Sequence, residues 1–162
     1  MHANISFNSV ENTFLLKFVK SLRPMYDPPS RYVLSHTILD GESARVKLVE
    51  METLSLRKYL TLLVDSWEDK ERRSIYANVA SEVKKQPVVL GLQDLTGERA
   101  TSDNIVATCK SNMKKMSLQP RQVAGMVTDN PTTMQAVCRK FEELYPWVIV
   151  CIINIHHFKK YC

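Results

Sequence analysis

Two aspartates each end a short apolar segment, and this arrangement is the one in the chain that could support catalysis. Asp65 follows the apolar segment 61–64, and Asp129 follows the segment 123–128. If these segments form neighbouring strands, the two carboxylates converge at one edge of a sheet. Paired carboxylates bind Mg²⁺ or Mn²⁺, and such ions activate a water or a hydroxyl in phosphoryl transfer. The pattern therefore nominates Asp65 and Asp129 as catalytic residues and as metal ligands.

An aspartate after a strand can also serve as a turn former or a helix cap. At the second position Asn130, followed by Pro131, has the features of an N-cap, which leaves Asp129 without that role. At the first position, Asp65 opens no predicted helix. A capping role is therefore poor at both positions, and the pattern alone leaves a metal site and a purely structural role as alternatives.

The first 58 residues have the periodicity of helices. Apolar residues recur along one stripe of the segment 12–22, and Pro24 ends it. Ser30 is placed to cap a second helix over 31–39, which Asp40 and Gly41 are expected to end, and a third helix is predicted over 42–58. Residues 1–58 are thus predicted to form a small all-helical domain.

The pattern changes to strands near residue 60, and residues 59–162 are predicted to form an α/β domain. Short links join the first three strands, which indicates an antiparallel meander, and a helix before the fourth strand permits parallel pairing. The fifth strand is apolar on both faces and is expected to lie inside the sheet. The predicted strands cover 61–67, 74–83, 88–94, 123–128 and 147–155, with helices over 102–116 and 130–145. The order β-β-β-α-β-α-β is that of a ribonuclease-H-like mixed sheet, in which the first and fourth strands are neighbours.

Composition narrows the class of protein. The chain has 162 residues, 44% of them apolar, and a net charge of +5. No apolar run approaches the roughly 18–20 residues of a membrane span, and the N-terminus lacks the layout of a signal peptide. The four cysteines form no C-x-x-C pair. These features predict an intracellular protein, nuclear or cytoplasmic, without a membrane partner.

The basic excess lies in the C-terminal third of the chain and favours a polyanionic partner. Lys110, Lys114 and Lys115 are predicted to share the outward face of the helix over 102–116, and they are the candidate nucleic-acid-binding residues. A lysine-rich helix face that is merely solvated remains an alternative.

The order of short motifs resembles that of hAT-type transposases and the related transposase-like family of unknown function. The resemblance covers nearly the whole chain, but each motif is short. The matching segments are 5–12 (ISFNSVEN), 22–31 (LRPMYDPPSR, similar to L-x-P-x-Y…P-S-R), 64–67 (VDSW, similar to D-x-W), 127–130 (VTDN, similar to T-D-N) and 145–151 (YPWVIVC, similar to Y-P…C).

This resemblance implies the catalytic core of a cut-and-paste DNA transposase. Asp65 and Asp129 would be its first two metal ligands, Mg²⁺ or Mn²⁺ its cofactor, and DNA its partner. A nuclear location is also implied. Separately, a sheet that ends at its fifth strand would leave an apolar face bare through Val148, Val150 and Ile152, which predicts a homo-oligomer or aggregation. Trp67 is expected to pack behind the first strand.

Several features depart from the family's pattern. The family needs a third acidic residue far downstream, and Glu142 and Glu143 lie in the wrong element to replace it. The C-x-x-H motif is broken because Asn154 stands where the histidine belongs, and Glu68 replaces the threonine that follows D-x-W. The zinc-finger module that reads transposon ends in the family is expected to be absent. We therefore expect an incomplete core, inactive in strand transfer, with a non-enzymatic DNA- or protein-binding module as the alternative.

Two further interpretations have less support. A zinc site built from Cys151, His156 and His157 lacks a second pair of ligands. A small nucleotide-binding domain would need a phosphate-binding glycine loop, but the sequence contains neither G-x-G-x-x-G nor a P-loop. No small-molecule substrate is therefore predicted.

Overall fold

The computed structural model describes residues 5–97, 101–129 and 132–153, and it divides the chain into two units. The first unit covers Met1–Val49 and the second covers Glu50–Cys162. The sequence places the corresponding boundary after residue 58.

The first unit is helical, as the apolar periodicity predicts. A 3₁₀ turn over Phe7–Glu11 leads into helix α1, Thr13–Leu22. The side chain of Asn12 caps α1 by accepting hydrogen bonds from the backbone N–H groups of Phe14, at 2.9 Å, and Leu15, at 3.3 Å. This cap fixes the start of the helix because it satisfies two N–H groups that have no partner inside it.

The two helices predicted over 31–39 and 42–58 form one continuous helical segment instead. Helix α2, Arg31–Val33, continues through a π turn, Leu34–Ile38, into helix α3, Leu39–Ser55. Ser30 caps the start as predicted, since its hydroxyl accepts from the N–H of Val33. The predicted stop at Asp40 and Gly41 is wrong because one glycine costs a helix only about 1 kcal/mol.

The second unit contains a five-stranded mixed sheet, and the chain order β-β-β-α-β-α-β is confirmed. The strand order is β3-β2-β1-β4-β5, with β1, β2 and β3 antiparallel and with β1, β4 and β5 parallel. Its elements are β1 Leu60–Glu68, β2 Ser74–Ser81, β3 Val88–Asp94, helix α4 Ser102–Lys115, β4 Val123–Thr128, helix α5 Thr132–Leu144 and β5 Ile149–Ile152. The molecule therefore belongs to the α/β class.

Helices α4 and α5 pack on one face of this sheet, here called the helix face. Alternate residues of β1 are buried against the helices, and the apolar stripes of α4 and α5 complete the core. The core includes Leu60, Leu62, Val64, Met126, Ile105, Cys109, Met113, Val137 and Phe141. The sequence favours Ser102 or Asp103 as the N-cap of helix α4, but Thr101 provides the cap, since its hydroxyl accepts a hydrogen bond from the N–H of Asn104.

The opposite face of the sheet, here called the open face, carries exposed apolar side chains. Leu92 is 62% exposed and Ile149 is 77% exposed. The prediction that Val148 and Val150 would be bare is wrong, because Val148 is buried and Val150 packs against the core. The alternation of side chains along β5 instead places Ile149 and Cys151 on the open face.

Strand β5 is an edge strand in the described part of the chain, and it pairs with β4 alone. The expectation of an interior position is therefore wrong, and the two apolar faces of β5 have a different cause. One face contacts the core, and the other belongs to the open face. No helix among the described residues has the length and apolar character required to cross a membrane. The predicted cap at Asn130 and the histidines of the zinc hypothesis lie outside the described residues.

Candidate functional site

Strand pairing brings the two predicted carboxylates to the same end of the sheet, near the C-terminal ends of β1 and β4. Strands β1 and β4 are parallel neighbours, and Val64 pairs with Thr128. Asp65 is the next residue of β1, and Asp129 comes directly after the last residue of β4. Neighbouring strands lie about 4.8 Å apart, so the two backbones are close enough for both carboxylates to reach one ion. The predicted adjacency of the first and fourth strands is confirmed.

The two aspartates also belong to one face of the sheet. Val64 and Thr128 are buried on the helix face, and side chains alternate along a strand. Asp65 follows Val64 and is exposed, whereas Asp129 follows Thr128 and is half-buried. Both carboxylates therefore lie on the side of the sheet away from α4 and α5, where solvent has access.

Local hydrogen bonds hold these carboxylates but do not neutralise them. The Asp65 carboxylate accepts a hydrogen bond from the N–H of Ser66 at 2.8 Å. The hydroxyl of Thr128 donates to Asp129 at 3.4 Å. Neither aspartate forms an ion pair with a described lysine, arginine or histidine. A divalent cation would supply the missing positive charge.

The centre contains two carboxylates and not three. Among the described residues, no group of three His, Cys, Asp or Glu side chains is placed to hold a metal ion. Glu142 and Glu143 lie near the end of α5, a helix that packs on the opposite face of the sheet. Since α5 runs antiparallel to β4, its C-terminal end also lies at the far end of the sheet. These glutamates cannot complete the centre.

Trp67 does not have the predicted role of a core residue. It lies two residues after Asp65, on the same open face, and is 45% exposed. The error has a physical cause. An apolar residue near the end of a strand can point to either face of the sheet, and the short D-x-W motif does not determine which. Trp67 is thus an exposed ring beside the carboxylates.

The three predicted nucleic-acid-binding lysines are exposed, but the fold does not bring them to the carboxylates. Lys110, Lys114 and Lys115 lie in the C-terminal half of α4. Helix α4 leaves the end of β3, on the carboxylate side, and runs back to the start of β4. The lysines therefore lie toward the opposite end of the sheet and on its helix face.

A buried polar cluster holds α4 on the sheet, and the sequence pattern gave no sign of it. The Asn112 amide donates a hydrogen bond of 2.7 Å to the side-chain oxygen of Asn78 in β2. The Asn78 amide in turn donates to the Cys109 sulfur at 3.3 Å. Burial raises the pKa of the Cys109 thiol to about 12, so this cysteine is a structural residue and not a nucleophile.

Comparisons with known proteins give little further information. No protein-family model matches the chain, and no curated protein matches it. One similar solved structure is a protein of unknown function with an actin-like ATPase fold from Bacteroides thetaiotaomicron VPI-5482, with a TM-score of 0.41 and 9% sequence identity. The match covers 88% of this chain and 48% of that one, so the chain spans about half the length of that protein. At this TM-score the likeness assigns no function.

Proposed function

We propose that this chain derives from the catalytic domain of a DNA transposase and that its sheet belongs to the ribonuclease-H-like type. In this proposal Asp65 and Asp129 form a two-carboxylate centre that binds Mg²⁺ or Mn²⁺ weakly. The supporting observation is the parallel pairing of β1 with β4, in which Val64 opposes Thr128 immediately before the two aspartates. The transposase-like motifs at 64–67 and 127–130 contain the same two residues.

The centre is expected to bind metal without cutting DNA. When bound, a divalent ion supplies positive charge for the attacking and leaving oxygens of phosphoryl transfer. The two carboxylates can orient such an ion at the open face, but they leave most of its coordination positions to water. Asp65 is held by the backbone of Ser66 and Asp129 by Thr128, so these neighbours fix the direction of each carboxylate.

A metal titration with matched variants tests the centre. Binding of Mn²⁺ to the full chain, followed by the electron paramagnetic resonance of the free ion, is expected to be weak and to involve one site. Asp65→Asn and Asp129→Asn should each abolish it. Asp94→Asn is the control. Asp94 is the last residue of β3 and lies at the same end of the sheet, but strand β2 separates it from β1.

Asp94 differs from the two site residues in its local environment as well. The hydroxyl and the backbone N–H of Thr96 lower the pKa of Asp94, which therefore already has its own partners. Binding that persists unchanged in Asp65→Asn and Asp129→Asn, or that disappears equally in Asp94→Asn, would contradict the two-carboxylate centre. Metal-dependent nicking of duplex DNA that is lost in Asp65→Asn would contradict the expected inactivity.

A further inference from the structure

The end of the sheet opposite the carboxylates carries a positive excess, because six exposed cations there outnumber Glu142 and Glu143, the exposed carboxylates at the end of α5. Lys58 precedes β1, Lys84 lies in the turn between β2 and β3, and Arg121 precedes β4. Because β2 is antiparallel to β1, all three residues lie at the same end of the sheet. Together with Lys110, Lys114 and Lys115 they are here called the basic end. None of the six forms an ion pair with a described carboxylate.

Two other cations at this end, unlike the six of the basic end, lie close to a carboxylate. Lys85 pairs with Glu82 at 2.9 Å, and the Arg57 guanidinium lies 3.9 Å from the same carboxylate. Glu82 is thus engaged with residues other than the six of the basic end. All six side chains are exposed and none is in an ion pair with a described carboxylate, Glu142 and Glu143 included, so they can contact an anion.

A cavity of about 400 Å³ adjoins the basic end, between the C-terminal part of α4 and the start of the segment that leads to β5. Lys110 and Lys114 line it, and so do the Tyr145 ring and the apolar residues Met113 and Leu118. Its volume is in the range of small-ligand sites, which is about 300–1,000 Å³. A cationic rim over an apolar and aromatic wall matches a ligand that carries both an anionic group and a flat ring.

Aromatic side chains extend from this cavity to the surface. Tyr145 packs edge-on against Trp147, with ring centroids 5.6 Å apart. Trp147 is 48% exposed, and the Arg121 guanidinium lies 5.8 Å from the centre of its ring. An exposed aromatic ring beside cations is a combination by which proteins hold single-stranded nucleic acid, through base stacking and phosphate contacts.

We propose that the basic end binds a strand of nucleic acid and that the cavity at Tyr145 accepts one of its nucleotides. Lys84, Lys58 and Arg121 lie on elements that are successive neighbours in the sheet, so their row spans about 10–15 Å. That length corresponds to three or four phosphates at about 3.4 Å per stacked nucleotide. The row therefore favours a strand over a free nucleotide. The proposal does not depend on the two-carboxylate centre.

Anisotropy of a labelled 12-residue oligothymidylate tests this surface on the full chain at several salt concentrations. Six phosphate contacts predict a slope of log K against log salt of about −4, at roughly −0.7 per contact for single strands. Lys110→Gln combined with Lys114→Gln should make the slope shallower by about 1.4 and weaken binding about 25-fold at 0.1 M salt. Lys70→Gln is the control, because Lys70 is equally exposed but lies in the β1–β2 turn at the carboxylate end.

A substitution that changes no charge tests the role of the aromatic rings. Trp147→Leu should weaken oligothymidylate binding roughly tenfold while it leaves the salt slope unchanged, since stacking contributes without releasing counterions. A slope that is the same in the double lysine variant as in the unmodified chain would overturn the proposal. So would undetectable binding at 50 mM salt.

Competition experiments distinguish a nucleic-acid strand from a free nucleotide and from an acidic polypeptide. Unlabelled oligothymidylate should displace the probe at micromolar concentrations, and thymidine monophosphate should require at least a hundredfold more. Equal displacement by the mononucleotide would mean that the ligand is a free nucleotide and would refute the strand. Equal displacement by polyglutamate of matched charge would mean that the surface recognises an acidic polypeptide, and this would refute nucleic-acid recognition.

Discussion

The contact between Gly91 and Asn112 leads to a prediction about how α4 is held. A Cβ atom added at Gly91, in β3, would lie 2.8 Å from the Asn112 side chain, closer than packed atoms approach each other. Asn112 cannot move away without losing its 2.7 Å hydrogen bond to Asn78 inside the core. Gly91→Ala should therefore push α4 away from the sheet, although alanine is only one methyl group larger.

The expected size of the effect follows from two costs. Overpacking of this kind typically destabilises by about 1–3 kcal/mol. Asn112→Ala should cost about 1–3 kcal/mol as well, because it leaves the buried Asn78 oxygen without its donor. In the double variant the added methyl group occupies the space that the amide has left. The double variant should thus be more stable than the sum of the single changes predicts, by about 1–2 kcal/mol.

Tryptophan fluorescence during urea unfolding measures these differences in the correct part of the chain. The two tryptophans, Trp67 and Trp147, both belong to the unit Glu50–Cys162. A loss of about 2 kcal/mol should lower the melting temperature of a protein of this size by about 4–8 °C. Gly41→Ala is the control, because a Cβ there meets no atom within 4 Å. Strictly additive costs in the double variant, or a neutral Gly91→Ala, would refute the reasoning.

Four further outcomes are expected. A maleimide should label the exposed Cys151 rapidly in the native protein and leave Cys109 unlabelled, as peptide mapping can show. Since folding raises the pKa of Cys109 from 9.0 to about 12, its contribution to stability is complete below pH 9 and is lost as the pH rises through 12, so alkaline unfolding should be shallower in Cys109→Ala. Thr101→Ala should destabilise α4 by about 1 kcal/mol in denaturant unfolding, because it removes the N-cap. The apolar open face should promote self-association, and Leu92→Lys with Ile149→Lys should reduce it in light scattering; a monomeric unmodified chain would contradict this.

The sequence predicts the elements of the second unit well because each has a strong local signal. Period-two and helical patterns locate β1, β3, β4 and α4 to within a few residues. The adjacency of β1 and β4 also follows, since a helical crossover before β4 favours parallel pairing. The placement of Asp65 beside Asp129 therefore follows from the sequence alone.

Other features depend on tertiary context that a local pattern does not contain. The continuous helix through Gly41 shows that one weak stop signal does not outweigh a favourable helix on both sides. The phase of β5 depends on which face the helices cover, so Val148 and Ile149 could not be assigned from their apolar character. The basic end gathers residues from three separate connections and from the C-terminal half of α4, and no motif marks such a set.

The two-carboxylate centre and the basic end should act as independent sites, because they lie at opposite ends of the sheet. Asp65 lies five residues along β1 from Leu60, which is near the basic end, and this corresponds to about 17 Å at 3.3 Å per residue. This is about twice the Debye length of roughly 8 Å at physiological ionic strength, so a bound ion should hardly alter the phosphate contacts. Linkage then requires that oligothymidylate leave the Mn²⁺ affinity unchanged and that Mn²⁺ leave the strand affinity unchanged. Titration of each ligand at 0.15 M salt with the other present checks both directions, and Asp65→Asn removes any contribution of the centre. A change of more than threefold that disappears in Asp65→Asn would show that the two ends are coupled and that the strand reaches the open face.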